Sequence, residues 1–143
     1  MNRAKSTLMA CSGSLALVFL MLAPNAQAAS LVNCKSKLHN GTTYQTYHEG
    51  PTLGFSGKIE ITRTYRCVQG TCFQANMTFD NSNDGVDEAE GYWQGSTIQF
   101  TRYVSQDNTK QSWSGQCLAN TVRGEWNYIP NMPDNGGMFK ITY

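Results

Sequence analysis

Through most of residues 30–143, apolar and polar residues alternate with a period of two, and no stretch sustains the 3.6-residue period of a helix. Ile59, Ile61, Tyr65 and Cys67 alternate with Lys58, Glu60, Thr62, Thr64 and Arg66. Phe73, Ala75, Met77 and Phe79 do the same, as do Ile98, Phe100 and Val104, then Val122, Gly124, Trp126 and Tyr128, then Phe139, Ile141 and Tyr143. One apolar face and one polar face is the pattern of antiparallel strands laid over a core. Turn-forming clusters separate the runs at Val68–Thr71, Asn81–Gly85, Ser105–Asn108 and Asn131–Gly137. With no helical stretch between strands, parallel βαβ units are excluded.

Further strands are expected near Thr42–Glu49, Glu88–Gln94 and Gln111–Leu118, giving eight or nine in all. Short connections favour pairing of sequential neighbours, hence a meander. An open meander exposes two edges, and closing it removes both. The expected fold is therefore an all-β, antiparallel up-and-down barrel of about eight strands, with a β-sandwich as the alternative.

Residues 1–28 read as a secretory signal peptide. Arg3 and Lys5 start it, the apolar run centres on Leu15–Leu22, Pro24 breaks the run, and Ala26-Gln27-Ala28 is an A-x-A cleavage site. The run is short for a transmembrane helix, which needs about 20 residues. Cys11 has its apolar stretch after it, the wrong order for lipidation. The reading gives a cleaved segment, 1–28, and one β-barrel domain, 29–143, with no stable membrane span after cleavage. The segment is bacterial in style, so a periplasmic or secreted address is expected. In a eukaryotic secretory route Asn40-Gly41-Thr42 and Asn76-Met77-Thr78 would be glycosylation sites.

Removing 28 of 143 residues leaves 115 and discards Cys11, one of five cysteines. Cys34, Cys67, Cys72 and Cys117 remain, an even number in a small exported domain, which reads as two disulfides rather than a metal site. Cys67–Cys72 with Cys34–Cys117 is the simplest pairing. Strict alternation opposes it, because Cys67 would face in with Ile59 while Cys72, next to inward Phe73, would face out. A bulge in Val68–Thr71 would reconcile them; otherwise the pairs are Cys34–Cys67 and Cys72–Cys117. Cleavage also removes two of eleven basic residues, leaving nine against ten acidic ones. That balance argues against a strongly basic nucleic-acid binder.

A hairpin-level recurrence runs through Phe55-Ser56-Gly57, Trp93-Gln94-Gly95 and Trp113-Ser114-Gly115, and Gly124-Glu125-Trp126 shows it reversed. Glycine inside a strand marks a bend or the close approach of a ring. Over Gly95–Trp126 the chain resembles the second half of the avidin and streptavidin group, within the wider set of lipocalin-like barrels. The residues carrying the resemblance are Gly95, Trp113-Ser114-Gly115-Gln116 and Trp126. The resemblance implies a small eight-stranded barrel in which Trp113 and Trp126 line a ligand pocket. The chain departs from that group elsewhere. Ser96 stands where the group has another pocket tryptophan, and Gly137 stands about where it has its ureido-binding aspartate. Asn127–Gly137 is shorter than the group's segment, and the four cysteines are foreign to it. A barrel is implied, biotin binding is not.

Candidate ligand-binding residues follow from the same alternation. Trp93, Trp113, Trp126 and Tyr128 are expected to form an aromatic wall in the barrel, or else plain core packing. Arg63 and Arg102 fall in step with apolar neighbours and would point inward, where each must pair or meet a polar ligand; otherwise each snorkels at a strand end or turns out at a bulge. Asp80–Gly85 begins like a calcium loop, but the twelfth position is Gly91 and no helices flank it, so it reads as a solvated acidic loop. His39 and His48 have no partner at metal-ligand spacing. No catalytic signature appears, so no catalytic residue, metal or cofactor is expected and an enzyme is the weaker reading. The expected function is an exported binding protein holding a small hydrophobic, aromatic or anionic ligand in its cavity. The alternative is a secreted or periplasmic protein-binding factor, an inhibitor or virulence-associated protein, acting through the loops Asp80–Glu90 and Ile129–Gly137.

Overall fold

The computed structural model describes residues 29–50, 53–80, 85–130 and 135–143; the expected signal segment and most of the calcium-like loop lie outside them. Eight strands follow in chain order: β1 Thr42–Glu49, β2 Gly54–Cys67, β3 Gly70–Phe79, β4 Asp87–Gln94, β5 Thr97–Tyr103, β6 Lys110–Cys117, β7 Thr121–Ile129 and β8 Gly136–Thr142. Each pairs antiparallel with the next, and β1 pairs with β8 from Gln45 opposite Thr142 to His48 opposite Phe139. The sheet thus closes into an up-and-down barrel, and the sandwich alternative is excluded. The strand expected near Glu88–Gln94 is β4, so the loop read as Asp80–Glu90 ends before Asp87.

Alternation places the core. Ile59, Ile61, Phe73, Ala75, Met77, Ile98, Phe100, Trp113, Val122, Phe139 and Ile141 all face inward and are buried. Outward positions carry Lys58, Glu60, Gln74, Glu88, Glu90, Gln99 and Arg123, which is the inverse of a lipid-facing barrel. Among the described residues no helix is long and apolar enough to cross a membrane. Gly115 and Gly124 sit opposite each other on the inner wall, and a Cβ on either would come within 3 Å of the Phe139 ring. At Gly57, Gly115 and Gly124 the recurrence therefore marks where the wall yields to a ring, whereas Gly95 is a turn glycine with open space beside it.

One irregularity corrects the strand reading. Between Ile61 and Arg63 the β2–β3 register shifts, and Thr62 is the extra residue. Ile61 lies opposite Ala75 and Arg63 opposite Gln74, so Thr62 and Arg63 both face out. Every side chain beyond the bulge changes face. Arg63 points to solvent beside Tyr65, not into the barrel. Cys67 is brought to the outer face with Cys72, and the two are bonded across a Cα–Cα distance of 5.7 Å. The bulge that the pairing required thus lies at Thr62 rather than in Val68–Thr71.

The second disulfide, Cys34–Cys117, ties the segment before β1 to the end of β6. A single 3-10 turn, Cys34–Ser36, and buried Leu38 cover that end of the barrel. The Cys34 N–H donates to the Gly95 carbonyl at 2.8 Å and the Val32 N–H to the Cys117 carbonyl at 2.9 Å. The Tyr44 hydroxyl donates to the Lys37 carbonyl at 2.9 Å, holding the returning chain against β1. One end is therefore plugged by sequence-local chain; the other end carries the β1–β2, β3–β4, β5–β6 and β7–β8 connections.

Candidate functional site at the open mouth

The barrel is filled through its middle. Trp113 is fully buried, with Phe100 stacked on one side at 5.3 Å between ring centroids and Phe139 tilted against it at 4.9 Å. Trp93 lies toward the plugged end, stacked on Phe73 at 5.0 Å, with no hydrogen-bond partner for its Nε1 among the described residues. Space remains above these rings. A cavity of about 410 Å³ opens at the mouth, lined by His48, Leu53, Phe55, Phe79, Arg102, Val104, Gln111, Trp126 and Tyr128, with Gln106, Asp107 and Asn135 on its rim. That volume lies within the range of small-molecule sites, roughly 300–1,000 Å³.

Of the six residues expected to face a ligand, the structure gathers Trp126, Tyr128 and Arg102 at this cavity. Trp113 forms the layer beneath, its ring stacked with Trp126 at 6.2 Å. Trp93 is too deep and Arg63 lies outside. Trp126 is held by its Nε1–H, which donates to the Glu49 carbonyl at 2.9 Å. The same carbonyl would lie 1.7 Å from a Cβ at position 137. Gly137 is therefore required for β8 to reach β1, and no aspartate fits there. Ser96 sits in the β4–β5 turn at the plugged end, where its carbonyl accepts the Cys117 N–H.

Arg102 is buried, and its charge is matched. Its Nε donates to Asp87 Oδ2 at 2.7 Å, and Nη2 ion-pairs with the same oxygen. The Nη1 donates to Gln111 Oε1 at 3.0 Å, and the guanidinium lies 4.2 Å over the Phe79 ring. Asp87 is itself saturated: Oδ1 accepts the Ser105 N–H at 2.8 Å and the Ser105 hydroxyl at 2.9 Å. Gln111 Oε1 also accepts from Trp113 Nε1 at 3.3 Å, linking the ion pair to the aromatic floor. A buried charge is tolerated only when paired and hydrogen-bonded in this way.

His48, like Phe55, Phe79 and Gln111, lines the cavity without having been expected there from the sequence. It is 5% exposed, stacked on Phe55 at 5.1 Å and edge-on to Phe79, Trp113 and Trp126. Its Nδ1 has no hydrogen-bond partner among the described residues. Burial, and then the nearby Arg102 charge, push its pKa down to about 4, so the imidazole is neutral near pH 7. The signal existed: Tyr44, Thr46 and His48 are the inward positions of β1, as Asp87 and Ala89 are of β4. Metal-ligand spacing is no guide to a histidine used as a ring.

A larger depression, about 450 Å³, lies on the outer face of β4–β6, lined by Glu90, Tyr92, Gln99, Thr101, Ser112 and Ser114 among others. Two of its polar groups satisfy each other, the Tyr92 hydroxyl donating to Gln99 Oε1 at 2.7 Å. The mouth is the better site because it combines concavity, aromatic walls and buried polar groups. Among the described residues no cluster of three or more His, Cys, Asp or Glu side chains is placed to hold a metal ion.

The fold and the site together define a closed eight-stranded barrel, plugged at one end and cupped at the other. Compared with family models, curated proteins and solved structures, the chain gives no match.

Proposed function

We propose that this chain is an exported binding protein that holds one small apolar or aromatic molecule in the mouth of its barrel. The observation that carries the reading is the cup itself: Phe55, Phe79, Trp126 and Tyr128 around about 410 Å³, over a rigid stacked floor. Aromatic walls bury ligand area at little entropic cost, and a closed barrel holds them preorganised. Two disulfides fit an oxidising compartment, and with residues 1–28 they support a periplasmic or secreted address.

Native mass spectrometry against a panel of apolar and aromatic small molecules tests the reading. A one-to-one adduct is expected for wild type and its loss for Val104→Trp, which fills the cup from its wall. Absence of any adduct, or an adduct unchanged in the filled variant, overturns it. A second reading, protein binding through the rim, is supported by exposed Leu53, Val86 and Ile129 around the same opening. A protein partner captured equally by wild type and Val104→Trp, and lost on Leu53→Ser with Ile129→Ser, would favour that reading.

A further inference from the structure

We infer that Asp87 sets the charge selectivity of the cup, making it a site for uncharged aromatic ligands that refuses carboxylates. The inference rests on the small-ligand reading above. It goes beyond it because an arginine in an aromatic cup would ordinarily be taken as an anion receptor.

The charge inventory of the mouth points the other way. Among the described residues lining the cavity Arg102 is the one cation, and each of its three guanidinium nitrogens already makes a contact with Asp87 or Gln111. Its face is covered by Phe79. Asp87 faces inward but is not among the residues lining the cavity, and at 2% exposure solvent does not screen it from Arg102. His48 supplies no charge at neutral pH. Among the described lining residues the other ionised group is Asp107, whose carboxylate is held ionised by hydrogen bonds from Thr109. An incoming carboxylate therefore meets a compensated guanidinium and a rim of its own sign. It would lose its hydration without gaining a free counter-charge. A neutral ring loses little on entering and stacks on Trp126 and Tyr128. Asp87 does not reach the cavity, so it is a positioning residue that acts through Arg102.

A series with one ring and three charges tests this: indole, indole-3-acetate and tryptamine, titrated into the full chain by calorimetry at pH 7. Indole is expected to bind tightest, with indole-3-acetate weaker by about tenfold or more, because its carboxylate is buried beside a spent cation. In Asp87→Asn, which frees the guanidinium while keeping the side chain's shape, the order reverses and indole-3-acetate gains affinity. A merely structural role for Asp87 would weaken all three ligands together, and that result overturns the inference. So does tightest binding of indole-3-acetate or tryptamine by wild type, which leaves the small-ligand reading intact. Binding of none of the three overturns the inference, while the small-ligand reading is decided by the wider panel above. Where Asp87→Asn fails to fold, the wild-type series still overturns the inference if a charged ligand binds tightest.

Discussion

At the scale of single residues, the mouth is a polar cluster embedded in an aromatic one. Arg102 and Asp87 are both nearly inaccessible and share an oxygen-centred ion pair. Removing one partner leaves the other charge buried and alone, which costs roughly 3–5 kcal/mol. Arg102→Met is thus expected to lower unfolding free energy by about that amount, and Asp87→Leu by a similar one. The double variant should be less destabilised than the sum of the two, as a double-mutant cycle by urea denaturation would measure. His48 gives a pH signature. Its folded pKa, about 4, lies below the ordinary value of 6.5, so between those values the unfolded chain binds the proton that the folded chain refuses. Stability from this group is complete above about pH 6.5 and is lost as pH falls toward 4. Thermal melts across that window should fall more steeply for wild type than for His48→Phe, which keeps the ring and removes the titration.

At the scale of elements, the bulge in β2 decides two outcomes at once. Without it, strict alternation from Ile59 onward would send Arg63 inward and separate Cys67 from Cys72. With Thr62 doubled outward beside Arg63, both side-chain sets reverse. Thr62 Oγ1 donates to the Gln74 carbonyl at 3.1 Å, which uses a ladder acceptor at the irregular point. Deleting Thr62 should restore a regular ladder with Ile61 inside and Arg63 outside, as now. The Cys67–Cys72 bond is therefore expected to form in the deletion variant, as peptide mapping without reduction would show. Loss of that bond would mean that the extra residue itself, rather than the face it sets, brings the cysteines together. Nothing in the residues from Ile59 to Cys67 announces this bulge, since Thr62 and Arg63 are ordinary strand residues. Strand positions were legible because each period-two run ends at a Gly, Asn or Asp cluster. The phase within a run was not, because one inserted residue inverts it without leaving a compositional trace.

At the scale of the whole molecule, the two disulfides do unequal work. Cys34–Cys117 spans a sequence separation of 83, and Cys67–Cys72 spans five. In the chain-entropy account the long bridge contributes about 4–5 kcal/mol and the short one about 2 kcal/mol. Replacing Cys34 and Cys117 by alanine should therefore lower the calorimetric Tm well beyond the effect of replacing Cys67 and Cys72, and equal losses would contradict that account. The long bridge also fixes the plug, and so decides which end of the barrel stays open. The sequence by itself determined a two-faced, all-strand chain with four cysteines in its barrel segment, because side-chain period and residue count are local properties. It also supplied Trp126, Tyr128 and Arg102 as members of the site. Only the tertiary structure decided that Trp93 is buried below, that Arg63 lies outside, that His48 joins the cup, and that Arg102 is already neutralised by Asp87. Those outcomes depend on strand phase, closure and contacts between residues 15 or more positions apart. Local patterning encodes which face a side chain prefers; the closed sheet decides what it meets there.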